Sequence, residues 1–210
     1  MGNVAARRSV GGIVLAGGKS TRMGTSKALL PFGPETMLQR VVRLLGEVVG
    51  PIVVVAAADQ DLPALPDGVV VTYDEREGRG PLEGLRAGLK ALPQDCAVAY
   101  ATSCDVPLLD QDFVRRMLVL VEGFDVAVME MDGFTHPLSA VYRRGTLPHI
   151  ESLLDADRLR PLFLFEAVRT RRVSKEEMTA DPELRTLRNL NTRDDYERAL
   201  ADAGLAHDVS

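Results

Sequence analysis

Leu15-Ala16-Gly17-Gly18-Lys19-Ser20-Thr21-Arg22-Met23-Gly24-Thr25-Ser26-Lys27-Ala28-Leu29-Leu30 begins at the end of an apolar run, residues 10–16. The run reads as a buried strand, and the adjacent glycines as the turn that leaves it. Between Gly17 and Lys27 stand three glycines and three cations, Lys19, Arg22 and Lys27. Backbone N–H groups of a glycine-rich turn, with cations beside them, suit a ligand carrying several negative charges, foremost a nucleoside triphosphate.

Spacing excludes two familiar phosphate loops. A P-loop needs a glycine five residues before the Gly18-Lys19-Ser20 string, and that position is Ile13, inside the strand. A dinucleotide fingerprint needs Gly-x-Gly-x-x-Gly, and Gly17, Gly18 and Gly24 do not give it.

Outward from this stretch, valine-rich runs alternate with segments of helical period. Strands are predicted at 10–16, 51–57, 69–73, 97–101 and 125–131, mostly apolar throughout, as strands covered on both faces are. Helices are predicted at 36–49, 81–92 and 111–121; Leu82, Leu85, Leu89 and Leu92 form one apolar face, and Pro81 suits a first helical position. Beyond Met131 a turn at 132–136 joins a short strand at 137–143. Helices follow at 145–154 and 161–168, an edge strand at 171–173 and a last helix at 192–203. This order predicts an α/β fold: a three-layer, Rossmann-like, doubly wound and mostly parallel sheet. Ligands of such sheets sit at the carboxyl ends of the strands, where the opening stretch lies. No repeat or linker divides the chain, so 1–210 reads as a single domain, with 1–9 a flexible start.

The bulk properties agree. The chain has 210 residues, 46% hydrophobic and 26% charged, enough to bury a core without disulfides. Cys96 and Cys104 flank a predicted strand and make no metal-ligand spacing, which fits reduced thiols in a cytoplasmic protein. No secretory leader or membrane-length apolar run is visible. A net charge of −5 argues against nonspecific nucleic-acid binding and requires that cations for an anionic ligand be concentrated locally.

Ser103-Cys104-Asp105-Val106-Pro107-Leu108-Leu109 follows a predicted central strand, so Asp105 projects toward the same crevice. Its carboxylate suits Mg²⁺ beside a polyphosphate; equally, an aspartate two residues before Pro107 suits a turn. Asp74 and Glu75 follow another strand and precede Gly80-Pro81-Leu82-Glu83-Gly84. Asn189-Leu190-Asn191-Thr192 offers two uncharged amides, while Thr192 with Asp195 also reads as a helix cap. His136 precedes Pro137, and no Ser-His-Asp or Cys-His arrangement suggests covalent catalysis.

Taken together, Leu-Ala-Gly-Gly-x-Ser-x-Arg-Met-Gly-x-x-Lys resembles the signature of nucleotidyltransferases that activate sugars and cofactors. The Gly-Gly form and the short Arg-Met-Gly-x-x-Lys spacing are most similar to the molybdenum cofactor guanylyltransferases. The resemblance implies transfer of GMP from GTP to the phosphate of molybdopterin (Mo-molybdopterin), with Mg²⁺ and release of pyrophosphate. It assigns catalysis to Arg22, Lys27 and Asp105, with Asp105 the metal ligand. It assigns nucleotide binding to Leu15, Ala16, Gly17, Gly18, Lys27, Asp74, Gly80 and Asp105. His136, Asn189 and Asn191 fall on the acceptor side. Contact with other cofactor-biosynthesis proteins is a further implication. Two departures stand out: Arg193 replaces a usual proline, and Ala56-Ala57-Ala58 stand where relatives often carry an asparagine, so a base or ribose contact is missing there or supplied differently. Gly17, lacking a Cβ, leaves room for a purine. The competing readings are a CTP-dependent cofactor cytidylyltransferase, a sugar-phosphate nucleotidyltransferase, and a noncatalytic nucleotide-binding partner on the same scaffold.

Overall fold

The structure, a computed structural model, describes residues 10–17, 26–179 and 181–205. The expectation for residues 1–9 lies outside the described residues. The chain forms β1 (Val10–Leu15), β2 (Pro31–Phe32), β3 (Glu35–Thr36), α1 (Met37–Gly46), β4 (Ile52–Ala56), β5 (Val70–Tyr73), α2 (Pro81–Ala91) and β6 (Val98–Ser103). It continues through α3 (Gln111–Leu120), β7 (Val126–Met131), β8 (Phe134–Arg143), α4 (Leu147–Asp155), α5 (Pro161–Ala167), β9 (Thr170–Val173) and α6 (Arg193–Asp202).

Seven strands make one sheet in the order β5-β4-β1-β6-β8-β7-β9. β8 alone runs antiparallel to its neighbours β6 and β7. Successive residues of β1 point to opposite faces, so Ile13 and Val14, both fully buried, enter two separate cores. Val14 packs in the core shared by Val41 and Leu45 of α1 and Phe113 and Met117 of α3. Ile13 packs in the core shared by Leu82, Leu85 and Leu89 of α2, Leu154 of α4 and Phe165 of α5. Helices on both faces of a mostly parallel sheet are the three predicted layers. Each fully buried leucine or isoleucine contributes roughly 1.5–3 kcal/mol.

The α1 helix starts one residue later than predicted because Thr36 is its cap: the Thr36 side chain accepts from the Gln39 N–H, and the Gln39 side chain accepts from the Thr36 N–H. The predicted turn at 132–136 is shorter. Asp132 and Gly133 alone make it, with φ of 51° and 78°, and Met131 pairs directly with Phe134. Two residues of positive φ match the right-handed strand twist. β8 therefore begins three residues earlier than expected, and His136 lies in a strand instead of a turn.

After β1 the chain proceeds to β4 and β5 on one side, then returns to β6 on the other. The crevice between the carboxyl ends of β1 and β6 is thus the topological switch point. A third, smaller core unites Phe32 and Met37 with Leu108, Leu190 and Ala199. It draws the C-terminal segment onto the turn that follows β6.

Candidate active site at the strand ends

Ser103 pairs with Leu15 in the β1/β6 ladder, and the Cys104 N–H donates to the Leu15 carbonyl at 3.0 Å. The turn carrying Asp105 is thereby held against the end of β1. Asp105 Oδ2 accepts from Lys27 Nζ at 2.8 Å, and its Oδ1 accepts from the Ser103 hydroxyl. Lys27 also donates to Asn191 Oδ1 at 2.9 Å. The Lys27 and Asp105 side chains are only 17% and 15% exposed, so their pairing is shielded from bulk solvent more than an ordinary surface ion pair.

Asn191 arrives by tertiary packing. Leu190 is buried in the third core, and its N–H donates to the Asp105 carbonyl at 3.0 Å. The predicted cap of α6 is present. Thr192 Oγ1 accepts from the Asp195 N–H at 3.1 Å, while Asp195 Oδ2 accepts from the N–H groups of Thr192 and Asn191 at 3.0 and 3.2 Å. The cap and the Asn191 contact coexist. Arg193 takes the first position of α6 without disturbing either.

On the other side of the crevice, Gly17 donates its N–H to the Val55 carbonyl at 3.3 Å. A Cβ on Gly17 would stand 3.4 Å from the Ala57 nitrogen and 3.9 Å from Asp74 Oδ2, ordinary contact distances. The protein itself therefore does not demand glycine here, and the missing Cβ leaves a space between Gly17, Ala57 and Asp74. Asp74 Oδ1 is buried with no hydrogen-bond partner among the described residues. Burial, then the nearby Glu83 and Glu77 carboxylates, push the Asp74 carboxyl up to about 6, against the opposing pull of Arg86. Glu75, next to Asp74 in the chain, turns toward α2 and pairs with Arg86 at 2.8 Å and Lys90 at 3.5 Å.

Gly80 caps α2 with φ 73° and ψ −167°, a conformation closed to side-chain-bearing residues, and Pro81 follows at the first helical position. Gly84, in the same segment, makes room for β1: a Cβ there would meet the Leu15 methyls at 2.9 Å. Leu15 and Ala16 close the end of β1, where Ala16 receives a bond on its carbonyl from the Gln60 amide. His136 is half-buried opposite Met129, and burial pushes its pKa down, favouring the neutral ring. His136 and exposed Asn189 make no side-chain hydrogen bond to the Lys27–Asp105–Asn191 group among the described residues. Gly18, Lys19 and Arg22 lie outside the described residues. Sequence reasoning missed Gln60, Ser103 and Glu83. Ser103 stood inside the quoted Asp105 string, whereas Gln60 carried no motif.

Asp105 fits a hard divalent cation. Its carboxylate and the side-chain amide oxygen of Asn191 meet at the same Lys27 ammonium, two hard oxygen donors of the kind such a cation takes.

The protein-family model described as the MobA-like NTP transferase domain matches residues 12–172, which span the opening stretch, Asp74 and Asp105. The chain belongs to this family. A similar protein of Pelotomaculum thermopropionicum, named a probable molybdenum cofactor guanylyltransferase, is 35% identical over 193 residues, covering 90% of each chain. This MobA-like transferase also shares its fold with solved structures. A molybdopterin-guanine dinucleotide biosynthesis protein A of Archaeoglobus fulgidus matches with a TM-score of 0.76 at 19% identity, over 92% of this chain and 98% of that one. A Mycobacterium tuberculosis protein solved in complex with manganese matches with a TM-score of 0.63 at 19% identity, over 92% and 98%. No helix among the described residues is long and apolar enough to cross a membrane.

Proposed function

We propose that this MobA-like transferase moves GMP from GTP to the terminal phosphate of molybdopterin and releases pyrophosphate. The observation that carries the reading is the Lys27–Asp105–Asn191 group beside the open space at Gly17 and Asp74, at the switch point of the sheet. The name of the 35% identical relative supports the choice of substrates.

The attacking oxygen belongs to a phosphate, ionised at neutral pH, so no general base is needed. The obstacle is an anion approaching an anion. Two unit charges about 4 Å apart repel by roughly 4 kcal/mol at an effective dielectric of 20. Lys27 opposes that repulsion with a charge held in place by Asp105 and Asn191. Arg22 and Gly18 are proposed to contact the triphosphate, Arg22 through its planar guanidinium. Asp105 would hold Mg²⁺, with Ser103 and the Leu190 N–H fixing its carboxylate and backbone. A divalent cation bound there supplies Lewis-acid stabilisation of the phosphate charge. Gly17 and Asp74 would flank the nucleoside, and Gly80 would shape the mouth between β5 and α2. His136 and Asn189 stay on the acceptor side.

The test is pyrophosphate release with GTP or CTP, Mg²⁺ and molybdopterin or a sugar phosphate. GTP with molybdopterin is expected to be the productive pair, and Lys27→Met is expected to lower kcat by about 100-fold or more. Preference for CTP would sink the guanylyl assignment. Nucleotide binding without pyrophosphate release would favour the noncatalytic reading.

A further inference from the structure

Gln60 lies in the connection between β4 and β5, and its side chain ties three segments of the crevice together. Its amide nitrogen donates to the Ala16 carbonyl at 2.8 Å and to Ser26 Oγ at 3.2 Å. Its amide oxygen accepts from the Ala57 N–H at 3.2 Å. These partners fix the orientation of the amide, because the reversed form would set oxygen against the Ala16 carbonyl and N–H against N–H at Ala57. Ala16 follows the last residue of β1 and adjoins Gly17. Ser26 precedes Lys27 and opens the 3₁₀ turn Lys27–Leu29.

Two features give this brace a purpose. Ser26 makes no side-chain capping bond to the turn it opens, and its hydroxyl bonds to Gln60 instead. The turn is anchored on its other side by Ala28, which is fully buried. Lys27, between them, therefore stands where the Gln60–Ser26 bond and the Ala28 contact put it. The alanines at 56–58 raised the question of what replaces a polar side chain at the end of β4. Both donors and the oxygen of the Gln60 amide are engaged within the protein, so Gln60 does not stand in for a base or ribose contact.

We infer that Gln60 is a positioning residue for the transfer reaction, holding Lys27 in register with the Gly17 turn through Ala16 and Ser26. The inference rests on the nucleotidyltransferase reading. Misplacement of a charged group by about 1 Å is enough to change a rate by one to two orders of magnitude.

Gln60→Met preserves length and removes all three hydrogen bonds. Gln60→Glu keeps the acceptor for Ala57 and removes the donors, and it repeats the test should the methionine variant fold poorly. The first measurement needs no ligand: amide hydrogen exchange at Leu29 and Leu30, which donate within the Lys27 turn at 2.9 and 3.2 Å. It is expected to accelerate about tenfold or more while β4 amides stay protected. The second is a double-mutant cycle on pyrophosphate release. Gln60→Met is expected to lower kcat about tenfold with Lys27 present, changing KM less, and by under about twofold in the Lys27→Met background. Equal losses in both backgrounds, or unchanged exchange at Leu29 and Leu30, would overturn the role of Gln60 while leaving the function intact. Failure of the unaltered protein to release pyrophosphate from any nucleotide would overturn both.

Discussion

Asp74 shows how a single buried carboxyl makes the stability of the fold depend on pH. Its carboxyl sits beside Glu83, which is fully buried and bonded to the Arg76 N–H at 3.2 Å and to Arg86. Burial, then the Glu83 and Glu77 carboxylates, raise its pKa from 3.8 to about 6 against the pull of Arg86. Between those values the folded protein keeps a proton that the unfolded chain has released, so this group's contribution to stability falls as pH rises through that window. Asp74→Asn removes the ionisation. It is expected to be more stable than the unaltered protein at about pH 7.5, by about 1 kcal/mol once solvent screening is allowed for, with no difference below about pH 4. Urea unfolding at the two pH values measures this, and equal stability at the higher pH would refute it. Lys27 and Asp105 were legible in the sequence because each sits in a string whose spacing after a strand carries chemical meaning. Gln60 was not legible, because its partners, Ala16, Ser26 and Ala57, are chosen by packing and two of them are backbone atoms.

Among the elements, α2 packs closely on β1 through two of its glycines. Leucines at 82, 85 and 89 announce the buried face of α2, and that face is as the periodicity predicts. What periodicity does not announce is the use of the glycines. A Cβ on Gly88 would come within 2.6 Å of Ile13, and one on Gly84 within 2.9 Å of Leu15. These glycines let the helix lie on the strand whose end carries Gly17. Gly88→Val is expected to destabilise the protein by about 1–3 kcal/mol through overpacking, read as a lower denaturant midpoint at constant m. An unchanged midpoint would mean that Ile13 repacks freely. The β7–β8 hairpin teaches the complementary lesson. Asp132-Gly133 is a strong two-residue turn signal, and reading Pro137 as the strand start hid it.

For the molecule as a whole, binding at the switch point should register as stability. GTP with Mg²⁺ at about 100 times its Kd is expected to stabilise the fold by about 2.7 kcal/mol, because the unfolded chain has no assembled site. Thermal melts with and without Mg²⁺ measure it. Asp105→Asn should erase the Mg²⁺-dependent part, and a metal effect that survives that substitution would place the cation elsewhere. By itself the sequence determined the layered α/β class, the helix and strand faces and the Asp105 turn after β6. These follow from local periodicity and from motifs a few residues long. Only the tertiary structure decided that β6 returns beside β1, so that the Asp105 turn stands at the end of β1. It likewise decided that burial of Leu190 brings Asn191 to Lys27, and that Gln60 braces the ends of β1 and the Lys27 turn. Those contacts join positions 34 to 164 residues apart. Packing of the buried cores selects them, and no local pattern records which distant residues that packing will unite.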